Sequence, residues 1–275
     1  MKTSFYLRGL IGVTGIMLII GSCTKEGLFT TSNGLLKKIK NDGYITKEIS
    51  YNNDNLVSEV NSTSFWRKFY YNNNNKLIKQ EVAIDPNSLS SLAPSSPIRD
   101  FVDPEKTGIS MYNIYEYDTD GRLTKQLNYI PKDGADELRS INTFEYNDNG
   151  LISKELLHDR DNVVTQFRTY EYDSNGNVIE EDYYTYLFIP EGTGPKHLSK
   201  ITYEYDSYLN PYKIFEQLGS PGLYTNLNNI IKRKTINYDP APGIDAESIS
   251  EFAYEYNEKT KYPIKVINGE EFIYE

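Results

Sequence analysis

"YEYDTDGRL", residues 115–123, recurs with small changes as "FEYNDNGLI" at 144–152 and "YEYDSNGNV" at 170–178. An Asp or Asn directly after the second aromatic bonds backbone N–H groups about two residues on and starts a tight turn. The Gly three positions later supplies the positive φ that closes a short hairpin loop. Aromatics two residues apart point to one face of a strand, because side chains alternate. The aliphatic six residues after the second aromatic then lies across the hairpin from it, a favourable cross-strand pair. The stretch therefore reads as a β-hairpin with one aromatic face.

Taking the second aromatic as an anchor, the pattern extends to Tyr51, Tyr71, Tyr117, Tyr146, Tyr172, Tyr205 and Tyr256. The next residue is Asn52, Asn72, Asp118, Asn147, Asp173, Asp206 or Asn257, always Asp or Asn. Five units carry Asn or Gly four after the anchor and Val, Leu or Ile six after it; the units at Tyr205 and Tyr256 keep only the front half. Between the aromatics stand Glu116, Glu145, Glu171, Glu204 and Glu255, which alternation puts on the opposite, wet face. A hairpin with one aromatic face cannot bury that face alone, so neighbours must stack. The abundance of Tyr, 25 residues, agrees with strands. The expected architecture is all-β, an antiparallel up-and-down meander of repeated hairpins with about 14–16 strands, strongly curled or barrel-like so that its edges are covered.

The connections are unequal. Asp85–Gly108, Pro131–Leu138, Pro190–His197, Gly219–Asn229 and Asp239–Ser248 are long and rich in Pro, Gly and Ser, whereas Asn61–Ser64 and His158–Asn162 are short. In a meander the tight turns gather at one end and these connections at the other. Long loops carry function more often than tight turns, so a ligand site is expected among them. At anchor−4 stand Lys47, Arg67, Asn113, Asn142 and Arg168, which turn the aromatic face polar toward the long loops. Fraying at the sheet's end explains this simply; a polar mouth lined by bases is the sharper reading.

The first residues are a targeting segment. Lys2 and Arg8 precede the apolar run Gly9–Ile20, which has signal-peptide length and is short for a membrane span. "IIGSC" (19–23) follows, and Cys23 is the chain's only cysteine, so it has no partner for an internal disulfide. This stretch resembles the bacterial lipobox, which implies cleavage before Cys23 and lipidation of it. The expected organisation is a lipoprotein signal peptide at 1–22, a tether at 23–34 and a single β-repeat domain at 35–275. Residues 1–22 carry two bases and no acid, so their removal deepens the net charge from −10 by two, to −12. Such a surface repels nucleic acid. Thr24 stands where an inner-membrane retention Asp would be, and "TKEG" (24–27) resembles the export tags of Bacteroidota surface lipoproteins; together these imply the outer membrane or cell surface.

The hairpin units resemble YD repeats of Rhs-type shells, best at Tyr115–Leu123. With the signal and the irregular spacing, the whole chain is similar to uncharacterised Bacteroidota lipoproteins of porin-like β-architecture. A transmembrane barrel is disfavoured, because charged side chains on both faces are costly in hydrocarbon.

No chemistry stands out. Asp118-Thr-Asp-Gly and Asn147-Asp-Asn-Gly resemble calcium loops, but Tyr129 and His158 occupy the place of the bidentate Glu, and the turn role accounts for every residue. No zinc signature, nucleophile elbow, P-loop or dinucleotide fingerprint is present, so neither metal nor cofactor is expected. Trp66 and Tyr70 fall on the wet side of "SFWRKFYY" (64–71) and are the candidate ligand-binding pair; packing of the pair under the 85–108 connection is the plainer and favoured reading. The expected function is a lipid-anchored envelope module for binding or scaffolding, with a glycan or an envelope protein as partner. The alternative is a surface glycan hydrolase using loop carboxylates. Metabolic labelling with palmitate is expected to mark the wild-type chain and not Cys23→Ser; equal labelling of both would refute the anchor.

Overall fold

The computed structural model describes residues 34–86, 100–190, 192–241 and 243–275. The signal segment, Cys23 and all of the tether but Gly34 lie outside them. Seventeen strands follow one another in a single antiparallel sheet. They are β1 (Leu36–Asn41), β2 (Tyr44–Tyr51), β3 (Val57–Ser62), β4 (Phe65–Tyr71), β5 (Leu77–Ile84), β6 (Met111–Tyr117), β7 (Leu123–Ile130), β8 (Glu137–Tyr146) and β9 (Ile152–Asp159). The second half comprises β10 (Val164–Tyr172), β11 (Val178–Thr185), β12 (Lys196–Leu209), β13 (Asn228–Asn237), β14 (Glu247–Glu251), β15 (Tyr254–Tyr256), β16 (Pro263–Val266) and β17 (Glu271–Tyr274). This is the expected meander with slightly more strands. β14 and β15 are one extended stretch interrupted at Phe252 and Ala253, and β1, β16 and β17 come from segments that lack full units.

The sheet curls back on itself. β1 pairs β2 on one side and β17 on the other. Between β14 and β15 no ladder is formed among the described residues, since β14 pairs β13 and β15 pairs β16, so the ladder is curled but not closed all round; chain continuity spans that step.

Each full unit forms the predicted hairpin. The Asp118 carboxylate accepts from the N–H groups of Asp120 and Arg122 at 3.0 and 2.8 Å, and Gly121 closes the loop at φ 78°. Asn52, Asn72, Asn147 and Asp173 repeat this arrangement, with Asn55, Asn75, Gly150 and Gly176 at positive φ. The anchors lie opposite the predicted aliphatics: Tyr51 with Val57, Tyr71 with Leu77, Tyr117 with Leu123, Tyr146 with Ile152 and Tyr172 with Val178. At each anchor the register shifts by a β-bulge, which bends the strand and strengthens its twist. Asp159–Val163 uses the same grammar at the opposite end of the strands, with Asn162 at φ 63°.

The aromatic faces line the inside of the curl. Ile49, Phe69, Tyr115, Phe144 and Tyr170, each two residues before an anchor, are buried. The anchors' hydroxyls reach the neighbouring hairpin: Tyr71 donates to the Val57 carbonyl at 2.7 Å, Tyr117 to Leu77 at 2.8 Å, Tyr146 to Leu123 at 2.7 Å and Tyr172 to Ile152 at 2.5 Å. Tyr205 does the same to Val178, and Tyr51 to Leu36. Burial pushes the hydroxyls of Tyr51, Tyr71, Tyr117, Tyr172 and Tyr205 well above the usual phenol range, which keeps them protonated donors.

The outside is charged, with cross-strand pairs such as Lys38–Glu48 at 3.3 Å, Lys232–Glu204 at 3.1 Å and Lys234–Glu247 at 2.9 Å. Such pairs add little stability singly, but a wall of them does not face hydrocarbon. No helix among the described residues is long and apolar enough to cross a membrane.

Tyr117→Phe is expected to cost about 1–2 kcal/mol, because it strands the Leu77 carbonyl. The control is Tyr129→Phe, whose hydroxyl makes no hydrogen bond among the described residues. Equal losses for the two variants in urea unfolding would show that the anchor bond contributes nothing.

Candidate functional site

The Tyr205 unit departs from the rule. Asp206 still accepts from the Tyr208 N–H at 2.9 Å, but strand β12 runs on to Leu209, and in place of the closing Gly and aliphatic comes a 3₁₀ helix, Pro211–Leu218, followed by the loop to β13. Asn210 caps it, accepting from the Tyr212 N–H at 3.0 Å, and Pro211 occupies the first turn, where no N–H is needed. The helix folds inside the curl. Tyr212, Ile214, Phe215 and Leu218 pack against the core formed by Ile39, Phe69, Leu123 and Phe272. The sequence reading put Gly219–Asn229 with the long loops at the far end of the strands; the structure puts it at the tight-turn end. The reason is that it replaces a tight turn, following an anchor rather than preceding one. Gly219 marks the crossing: at φ 94°, a Cβ there would come within 2.5 Å of Leu123 Cδ2.

The insertion divides the space it enters. On its outer side, toward the turns, lies an open cleft of about 750 Å³ lined by Lys76, Arg122, Gly150, Gly176 and Lys213 among others. Of its charged groups, Arg122 is partnered by Asp118 at 2.9 Å and Lys213 by Glu216 at 2.6 Å, while Lys76 lies 5.7 Å from the centre of the Tyr117 ring. On the inner side lies a hollow of about 390 Å³. It runs from Ser64, Ile84 and Met111 at the long-loop rim down to Leu218, Ser220 and Tyr224 of the insertion.

A polar girdle surrounds this hollow and extends around the inside of the sheet. Asn113 Nδ2 donates to Gln80 Oε1 at 3.0 Å, and the Tyr115 hydroxyl does so at 3.3 Å. Gln126 donates to Asn128 at 2.8 Å, Asn128 to Asn142 at 2.9 Å and Asn142 to Glu155 at 2.7 Å. Glu155, 4 % exposed, also accepts from Tyr170 at 3.0 Å and from Ser220 at 3.3 Å. Glu181 pairs with Arg168 Nε at 3.0 Å and accepts from Tyr203 at 3.3 Å. Lys47 binds Glu270 at 2.7 Å, and Tyr212 donates to the same carboxylate. The anchor−4 residues thus form part of an ordered mouth rather than a frayed end, and acids stand there beside the bases.

The sequence reading missed the other half of this girdle, which is Gln80, Gln126, Glu155 and Glu181, each nine residues after an anchor. Simple alternation from the inward aliphatic at anchor+6 places anchor+9 outside. The bulge resets the parity, so anchor+9 faces in, opposite the buried aromatic of anchor−2, as with Phe69 and Gln80. The recurrence of Gln or Glu at that offset was the available signal.

The structure does not bring the predicted pair together. Trp66, 7 % exposed, packs with Val102 of the 85–108 connection and with Ile109 just after it, so its face is withdrawn from solvent. Tyr70 is on the same outer face and donates to Glu81 at 2.6 Å; burial first, then that carboxylate, pushes its pKa up to about 12. Cys23 lies outside the described residues. No group of three or more His, Cys, Asp or Glu side chains poised for a metal occurs among the described residues.

No protein-family model matches the chain. A stretch of 88 residues is 32 % identical to the tRNA1(Val) (adenine(37)-N6)-methyltransferase of Bacteroides thetaiotaomicron; it covers 32 % of this chain, and the chain spans about a third, 31 %, of that relative's length. Among solved structures, the chain is similar to a porin-like protein of Bacteroides vulgatus at 9 % identity, with 88 % of this chain and 99 % of the other covered and a TM-score of 0.39. It is similar to a porin-like protein of Bacteroides uniformis at 11 % identity, covering 87 % and 98 %, with a TM-score of 0.37. At this degree of overlap no residue role passes from those proteins to this one.

Glu181 offers a test of the girdle. Burial holds its carboxyl above the ordinary Glu range, against the pull of Arg168. A raised acid binds protons more tightly in the folded than in the unfolded chain, so its contribution falls as pH rises from about 4.3, the ordinary Glu value, toward the raised one. The urea midpoint of the wild type is therefore expected to drop relative to that of Glu181→Gln across this window. A pH-independent difference would show that Glu181 is not held in a desolvated site.

Proposed function

We propose that the protein is a lipid-anchored protein of the outer membrane or cell surface that binds a small ligand in the hollow at the long-loop end of its curled sheet. The anchor rests on the signal-like Gly9–Ile20 run and on Cys23 at its end. The binding role rests chiefly on the half-filled interior. The insertion Pro211–Leu218 plugs the tight-turn end of the aromatic core, while toward the other end a concave space remains, walled by apolar side chains and a few convergent polar ones. That combination is what small-molecule sites present. The YD-like hairpins supply the rigid wall, and the unequal loops stand at the entrance.

Methyl-labelled NMR provides the test. On titration with 4-phenyl-1-butanol, an apolar probe small enough for the hollow, shifts are expected at the methyls of Val82, Ile84, Met111 and Leu218. Shifts confined to Leu151 and Ile152 would move the site to the turn-end cleft, and no shifts at all would remove the binding role.

A further inference from the structure

The girdle's polar groups find partners almost everywhere except at one corner of the hollow. Its interior carboxylates are each engaged: Glu155 by Asn142 and Tyr170, Glu181 by Arg168, Glu270 by Lys47. Arg67 differs. Its guanidinium lies 4.5 Å over the Phe65 ring, it has no ion pair or side-chain hydrogen bond among the described residues, and its Nε–H is buried without an acceptor. Gln80, 3 % exposed, is its diagonal neighbour, since Arg67 pairs Val82 and Phe69 pairs Gln80 in the β4–β5 ladder. Diagonal neighbours are within reach of long side chains. Asn113 and Tyr115 both donate to Gln80 Oε1, which turns Nε2 away from them, and Nε2 too is buried without a partner. Both residues line the same hollow. Buried donors without acceptors are uncommon in native proteins and call for a reason.

Resting on the reading of the hollow as the binding site, we infer that its ligand is a monocarboxylate carried on an apolar or aromatic body. The carboxylate accepts from Arg67 and Gln80, and the body lies against Phe65, Val82, Leu218 and Tyr224. Charge selects a single negative charge: one unpaired guanidinium faces the space, in a protein whose net charge of −10 disfavours a dianion. A carboxylate fits because its two oxygens can accept from the guanidinium and from the neighbouring amide at once.

The test compares 4-phenylbutyrate with 4-phenyl-1-butanol, which share a body and differ in the head group, at pH 7 on the purified protein. The acid is expected to bind about tenfold more tightly or better, as charge-assisted hydrogen bonds are stronger than neutral ones. Arg67→Met is expected to bring the acid down to the alcohol's affinity and leave the alcohol unchanged. Gln80→Glu keeps an acceptor for Asn113 and Tyr115 but sets a carboxylate beside Arg67 from within, so it is expected to abolish the acid's advantage and to raise Tm. This variant decides the matter if Arg67→Met does not fold. Equal affinities in the wild type, or an acid preference that survives Gln80→Glu, overturn the carboxylate inference and leave the hollow as a site. Failure of the alcohol to shift the hollow's methyls is the separate failure of the binding reading.

Discussion

A tyrosine ring buried inside a sheet must find a partner for its hydroxyl, and most of this fold follows from where that partner lies. The ladders between hairpins stop short of the tight turns: β3–β4 ends at Glu59 with Lys68, and β5–β6 at Lys79 with Ile114. Beyond those points the strands splay, and carbonyls such as those of Val57 and Leu77 have lost their ladder neighbour. The anchor hydroxyl of the next hairpin reaches each of them. One residue type thus fills the core with its ring and continues the sheet with its oxygen. Phe at these places would pack equally well but leave each carbonyl bare, which accounts for Tyr rather than Phe at these anchors.

The same bond joins the two ends of the chain within the curl. Tyr274 lies opposite Leu36, as each anchor lies opposite its aliphatic, and Gly34 stands at φ 77° two residues before Leu36, as Gly121 stands before Leu123. Phe272 occupies the anchor−2 place and is buried. Tyr51 donates to the Leu36 carbonyl, and Tyr274 to that of Pro263. Residues 34–36 and 272–275 are therefore the back and front halves of one unit, supplied by segments more than two hundred residues apart. A hairpin assembled from two distant pieces makes the association of β1 with β17 as specific as the turns themselves.

The repeat made the hairpins, their aromatic faces and the end occupied by the tight turns readable from sequence, because each depends on residues within about ten positions of one another. Phe272 and Tyr274 carried the aromatic pair of the grammar, but Glu275 follows in place of Asp or Asn, so the unit was not recognised. The interior girdle was half legible. Arg67 and Asn113 show as polar residues on an aromatic strand, whereas Gln80 and Glu155 are assigned to the wrong face unless the bulge is counted. Least legible was the insertion after Tyr205. Its Pro, Gly and Ser suggest a surface loop, yet Tyr212, Ile214, Phe215 and Leu218 within it form an apolar surface whose destination only the curled sheet defines. Trp66 shows a related limit: alternation gives its outer face, but only the structure decides between an open ligand surface and packing under the 85–108 connection, and it shows the packing.

These limits separate the frame from the function. The hairpins are locally specified and rigid, so they fix a curled wall whose inner surface repeats with small variations. The interior gains its individual character where the repeat is broken. A missing turn admits a helix that fills one end of the interior and leaves the other hollow, and bulge-set offsets, which carry no burden in forming the turns, hold the residues that vary: Val60, Gln80, Gln126, Glu155 and Glu181 in successive units. Substitution at those offsets changes the chemistry of the hollow without touching either the Asx turns or the tyrosine bonds. A fold organised in this way can retain its architecture while its interior is rewritten, and Arg67 with Gln80, the corner left without protein acceptors, is where this chain's own version of that interior is most specific.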